Sequence, residues 1–329
     1  MVAWLPLILE ASVLPHRQEE VTVVEQAGAR LLHTGTPYLS RADIAALPAD
    51  ERLLGYTPYQ PGMAVFGLPR ALLGSHWWTD ARMWFGLVMV VCLVLAPWSL
   101  RVVQMATVLP LSALTLATGG DDIPVLALSL LAFWYAARDR HIAAGVAIGL
   151  AGALKLFAWP VALVLLVLAG RRASLGRFAL PAIGIPVLVL VPALVLSADA
   201  FVENVIRFPG GGGLVTSPAQ SPLLGRLIAV SVPGGHAIAL GLLVASGLAI
   251  VVWLVRRPLR GVADAALVSA VGLTAAIMLN PTTRFGYFLY PVAYVAIWYV
   301  ARPIERTASS AAGSGLASRD APSGRTQET

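Results

Sequence analysis

From Met83 almost to Arg302, apolar residues follow one another in long runs separated by short polar breaks. Runs at residues 83–100, 102–118, 123–137, 178–197, 237–255, 261–279 and 285–301 each approach the roughly 20 residues a helix needs to cross a hydrocarbon core. Another run, 141–170, is about twice as long as a short span and is broken only around Lys155. With one more short crossing in residues 1–15, the pattern predicts an all-α polytopic membrane protein: a bundle of about 9–10 transmembrane helices with short external helices.

Basic residues set the expected orientation. Arg138 and Arg140 precede the long run and Arg171 and Arg172 follow it, so with basic loops inside, the chain goes out and returns within that run. Two short helices meeting near Lys155 satisfy this. Alternation then puts Arg101, Arg177, the cluster Arg256, Arg257 and Arg260, and the pair Arg302 and Arg306 on the same inner side. By the same parity, segment 16–82, the turn Gly119–Asp122, the loop 198–236 and the corner Asn280–Arg284 face outward. The first crossing, MVAWLPLILEASVLP, is short and carries Glu10, as expected of a start that has lost some residues. Residues 1–306 are therefore expected to form one membrane domain, and 307–329, rich in Ser, Ala and Gly, a disordered cytoplasmic tail.

Composition narrows the function classes. Of the 329 residues 58% are apolar and 12% charged, and the mean hydropathy is +0.78, a balance that no water-soluble fold hides. The net charge of +6 comes from arginines scattered between apolar runs rather than gathered in a stripe, which argues against a nucleic-acid partner and for membrane lipids. Cys92 is the only cysteine, so neither an internal disulfide nor a cysteine metal site is available. No cofactor is expected; a divalent metal would be compatible with the acids, but no ligand pattern calls for one.

Polar chemistry collects in the outward segments. Glu19 and Glu20 follow the first apolar run; they either meet a substrate at the interface or simply favour the start of a helix, VEQAGARLLHTG, that ends at Gly35. In YTPYQPGMAVFGLP, Pro58 and Pro61 prevent a regular helix, and Tyr56, Tyr59 and Phe66 read as an aromatic belt, with Tyr56 and Tyr59 alternatively substrate contacts. Asp121 and Asp122 stand in GGDD between two spans, where acids are costly unless used; the alternative is a cap for the span beginning at Ile123, with Pro124 early in it. Lys155, the only lysine, lies deep in an apolar run and needs an anionic partner, either those aspartates or a phosphate. Arg284 lies at external depth beside Tyr287 and Tyr290. The glycine run in FPGGGGLVTSPAQSP reads as a mobile loop. His33 and His236 are lone histidines suited to the interface, with His236 kept as a substrate-binding candidate.

The order of these segments, VTVVEQAGARLLHTGTPYL, YTPYQPGMAVFGLPRAL, TDARMWFGLV, TGGDDIPVLAL, AGVAIGLAGALKLFAWP and RFGYFLYP, resembles the bacterial glycosyltransferase family 87. The resemblance runs from about Glu19 to Arg302, and its specificity lies in the order of loose motifs. It implies a GT-C-like bundle in the bacterial cytoplasmic membrane, a polyprenyl-phosphate sugar as donor, mannose foremost, and a lipid or glycan acceptor. The family's catalytic acid after the first span is generally Asp; here that region holds Glu19 and Glu20. The family pattern alanine-leucine-lysine with a proline five residues on is matched by Ala153, Leu154, Lys155 and Pro160, while GGDDIP replaces a Gly-Gln-x-Asn turn.

The expected chemistry has a carboxylate, Glu20 first and then Glu19 or Asp122, take the proton of the acceptor hydroxyl. Lys155 and Arg284 face the leaving phosphate, and Asp121, Tyr56, Tyr59 and His236 contact substrate. The rival reading is a transporter or lipid flippase, which also uses broken helices; the absence of a second copy of GGDD or ALKLFAWP favours the enzyme.

Overall fold

The computed structural model describes residues 4–12 and 17–302. The expected tail lies outside the described residues, as do 1–3 and 13–15 of the expected first crossing. Among the described residues the chain is helical, with no strand and one isolated bridge between Gln220 and Thr283.

A first short helix, α1 (Trp4–Ser12), precedes a layer, expected from sequence to be external, of α2 (Glu19–Thr34), α3 (Arg41–Ala46), α4 (Arg52–Gly55), a 3-10 turn Pro61–Gly67 and α5 (Leu68–Leu73). The α2 helix stops where expected: Gly35 takes a left-handed conformation and its N–H bonds Leu31 O. Its Val24 and Ala27 are buried, as their shared face requires, and Leu31 is half-buried. Pro61 opens the 3-10 turn where a regular helix was ruled out.

The membrane part consists of α6 (Ala81–Leu95), α7 (Leu100–Thr107), α8 (Pro110–Thr118), α9 (Asp122–Ala136), α10 (His141–Leu154), α11 (Ala158–Arg171), α12 (Leu175–Phe201), α13 (Leu224–Ser231), α14 (Gly235–Arg256), α15 (Val262–Leu279) and a last helix, α16, over 289–302. Among the described residues three helical stretches are long and apolar enough to cross alone: 175–207, which adds a π-helical turn to α12, and the helices α14 and α15. The run expected as one span at 102–118 is instead α7 and α8, bent by 55°. Pro110 stands at the start of α8, and a proline cannot continue the preceding helix without losing a backbone hydrogen bond. The expected hairpin in 141–170 is present, with Lys155 in an extended conformation at the break.

At 1.5 Å per residue α10 and α11 are each about 21 Å long, shorter than a hydrocarbon core of about 30 Å. Buried on nearly every face, α9 is the central helix. The α10 helix reaches α12 through glycines: a Cβ on Gly145 would lie 2.4 Å from Phe178 O, and one on Gly149 2.5 Å from Pro181 O. This is the small-residue seam that lets membrane helices approach without a hydrophobic driving force. The outer surface is apolar, with Leu180, Leu188 and Val195 of α12 and Val255 of α14 largely exposed, as lipid-facing residues are. The basic loops meet at one end, where Arg172 pairs with Asp139 and also bonds Ala136 O, and Arg101 lies over the Tyr299 ring.

Candidate active site

At the other end of the helices, the segments expected to face outward surround a cavity of about 360 Å³. Its lining includes Glu19, Glu20, Tyr56, Tyr59, Asp121, Asp122, Lys155 and Arg284. The chain thus brings together eight of the nine side chains singled out from sequence. The ninth, His236, is not among the lining residues; it is the second residue of α14 and its Nε2 lies 2.5 Å from Gly210 O. His33 is exposed at the end of α2.

The GGDD turn owes its shape to its glycines. Gly119 has a φ of 95°, and a Cβ there would lie 2.1 Å from the Arg82 side chain. Both Gly119 and Gly120 donate their N–H to Thr115 O, closing α8 and turning the chain at once into α9. Asp121 occupies the cap position of α9 but makes no side-chain cap bond, so the capping alternative fails. Its carboxylate goes to Lys155 instead: Lys155 Nζ donates to Asp121 Oδ2 at 2.7 Å and to Asp122 Oδ1 at 2.6 Å. Tyr290 donates its hydroxyl to the same oxygen of Asp122 at 2.8 Å.

Lys155 is further enclosed by rings. Its Nζ lies 5.4 Å from the centre of Tyr59, 5.9 Å from Phe157 and 5.3 Å from Tyr287. A cation over such ring faces is attracted to them. Tyr59 is held there because Gln60 N–H bonds Leu154 O and its own carbonyl accepts from Tyr38. Tyr56 and Tyr59 are buried, at 0% and 4% exposure, so neither belongs to an interfacial belt. Burial pushes the Tyr59 hydroxyl well above its ordinary range, reinforced by the negative charges of Asp121 and Glu20.

On the facing wall Arg284 forms an ion pair with Glu20, from the first turn of α2. Glu19 lines the cavity beside it. Four carboxylates and two cations therefore face one space, and each cation already holds a carboxylate. Among the described residues no group of three or more His, Cys, Asp or Glu side chains is placed to hold a metal ion.

Behind the cavity a second charged network braces α2. Glu25 pairs with Arg17 at 2.8 Å and Arg70 at 2.9 Å, and Arg82 clasps Asp80 through Nε at 2.9 Å and Nη2 at 3.0 Å. Burial raises the Glu25 carboxyl above its ordinary 4.5, against the opposing pull of Arg17 and Arg70.

The glycine run, expected as a mobile loop, is pinned: Arg41 donates to Gly212 O, Leu214 N–H to the Tyr56 hydroxyl and Thr282 Oγ1 to Pro209 O. Phe208 stacks on Tyr56 with ring centres 4.1 Å apart, and both line the cavity. Sequence reasoning did not find Phe208, Phe157 or Thr282 as lining residues. Of these, Phe157 carried a signal, two residues after the lone lysine.

The model of glycosyltransferase family 87 matches residues 56–281, which takes in Tyr56, Tyr59, the GGDD turn and Lys155 but stops before Arg284 and begins after Glu20. No curated protein and no solved structure matches the chain.

Proposed function

The chain belongs to glycosyltransferase family 87, and from that premise we propose that it moves a hexose, mannose first among candidates, from a polyprenyl-phosphate donor to a lipid or glycan acceptor. The reaction takes place on the outer face of a bacterial cytoplasmic membrane. The observation that carries this reading is the convergence of carboxylates and cations on one cavity formed by the outward segments. Nucleotide sugars are charged and made in the cytoplasm, so a site on the outer side needs a donor already carried by lipid. The 21 Å hairpin arms agree, since they hold the site at a depth that a lipid-linked sugar reaches.

In this reading the acceptor hydroxyl oxygen attacks the anomeric carbon and the bond from that carbon to the phosphate oxygen breaks. The hydroxyl proton passes to Glu20, and the bonding pair leaves with polyprenyl phosphate. A single displacement inverts the anomeric configuration. Glu19 and Asp122 are the alternative bases. Asp122 is the weaker of these, because its carboxylate oxygen already accepts from Lys155 and Tyr290.

The two cations divide their roles. Lys155 is neutralised by two carboxylates, so its first task is to hold Asp121 and Asp122 in place, where they face the sugar. Arg284 is the better partner for the leaving phosphate, because its side chain keeps 31% exposure and is bound to one carboxylate only. Phosphate arriving at Arg284 displaces Glu20, which is thereby freed to act as base.

The test is transfer by purified protein from labelled polyprenyl-phosphate hexoses to a crude lipid or glycan fraction, with a nucleotide sugar in a parallel arm. Label is expected in the acceptor from the lipid-linked donor and not from the nucleotide sugar. Absence of both transfer and sugar release across several hexoses would remove the proposal.

A further inference from the structure

Glu203 was not singled out by its surroundings in sequence, yet its carboxylate is completely buried. It lies in the π-helical turn Val202–Arg207 that ends α12, a type of turn found often at functional sites. Its Oε1 accepts from Arg41 at 2.7 Å and from the Tyr56 hydroxyl at 2.9 Å. Its Oε2 has no hydrogen-bond partner and faces Arg207 at 3.5 Å.

Both donors to Oε1 reach on to the glycine run. The Tyr56 oxygen accepts from Leu214 N–H at 2.7 Å, and Arg41 donates to Gly212 O at 3.2 Å. The next residue, Asn204, accepts from Thr57 N–H at 2.7 Å and donates to Leu39 O and Ala200 O, each at 2.8 Å. One turn of helix therefore ties the external layer, the end of α12 and the loop after it to a single point. The Tyr56–Phe208 stack that walls the cavity stands directly on that point.

We propose that Glu203 is a positioning residue for the transfer reaction: through Tyr56 and Arg41 it fixes the cavity wall made by the Tyr56–Phe208 stack and residues 209–214. It touches neither the base nor the phosphate cation, so it acts on the fit of substrate and not on the chemical step. The inference rests on the reading of the cavity as the active site.

The test compares wild type, Glu203→Gln and Tyr56→Phe, in full-length protein, by steady-state kinetics and by amide exchange at Leu214. Tyr56→Phe keeps the ring and its packing but removes the hydroxyl that links Glu203 to Leu214 N–H. Both variants are expected to raise the KM of donor or acceptor by about fivefold or more, the worth of a hydrogen bond of about 1 kcal/mol, with kcat held within about twofold. Leu214 exchange accelerates in both. The double variant should fall well short of the product of the single effects, because the two residues share one link. A loss confined to kcat, fully multiplicative effects, or unchanged exchange at Leu214 would overturn the proposal. The exchange measurement stands whatever the catalytic outcome: if wild type transfers no sugar, the reading of the cavity fails, while the clamp is still judged by Leu214.

Discussion

Replacing Glu20 by Gln should separate binding from chemistry in opposite directions. Glu20 and Arg284 form an ion pair at the cavity wall, with side-chain exposures of 16% and 31%. If the donor phosphate needs Arg284, the carboxylate competes with it, and Glu20→Gln removes the competitor's charge while keeping its shape. A hydrogen bond to a charged group contributes about 1.5–3 kcal/mol when shielded, and partial exposure reduces this to about 1–1.5 kcal/mol. Polyprenyl phosphate should therefore bind about five- to tenfold more tightly to the variant, measured by displacement of labelled donor from protein in nanodiscs. Transfer in the same preparation should fall about 10²- to 10⁴-fold, the usual worth of a general base. Arg284→Gln serves as the opposite control and should weaken donor binding. Unchanged or weaker donor binding in Glu20→Gln would refute the exchange of Glu20 for phosphate; retained transfer would move the base to Glu19 or Asp122.

Lys155→Met leaves Asp121 and Asp122 as buried carboxylates without their cation and should lower stability by about 3–5 kcal/mol, read as the thermal midpoint in one detergent, with Asp121→Asn recovering part of the loss. Gly149→Val drives a side chain into the Pro181 carbonyl and should cost about 1–3 kcal/mol by separating α10 from α12, detected by the same measurement. Glu25 predicts a pH dependence. Burial raises its pKa in the folded protein above the ordinary 4.5, so the folded state binds the extra proton, and the stability this contributes is lost as pH rises from there through the raised value. The thermal midpoint of wild type relative to Glu25→Gln should accordingly fall as pH increases across that window, and a rise would contradict the sign of the shift.

Much of the site was legible because charge in an apolar run is costly and therefore conspicuous. Asp121, Asp122 and Lys155 stood out one by one for that reason; an ion pair with the aspartates was one of two partners open to Lys155, a phosphate being the other, and the ion pair is what the structure contains. The hairpin around Lys155 followed from the basic residues at both ends of 141–170. Other features had no such mark. Tyr56 and Tyr59 read first as headgroup anchors and second as substrate contacts, because an amphipathic ring suits both places; burial against Phe208 and Lys155 decides for the cavity wall. Glu203 reaches Tyr56 across 147 positions of chain, and no local spacing encodes that meeting. The glycine run suggested mobility because glycine is permissive, but its hydrogen bonds come from Arg41, Tyr56 and Thr282, elements distant in sequence. The break between α7 and α8 was readable from Pro110 and was absorbed into one span by weighing hydropathy above backbone chemistry.

Transfer from a lipid-linked donor requires these acids and cations to share a space open to the outer side of the membrane. After replacing Cys92 by Ser, a single cysteine would be placed at Gln18, exposed at the cavity lining, or at Arg140, in a basic loop. A membrane-impermeant maleimide should label Gln18→Cys in intact cells, with protection by polyprenyl phosphate, and Arg140→Cys only in inverted vesicles. Labelling of Gln18→Cys from the cytosolic side alone would contradict the orientation and the lipid-linked donor with it.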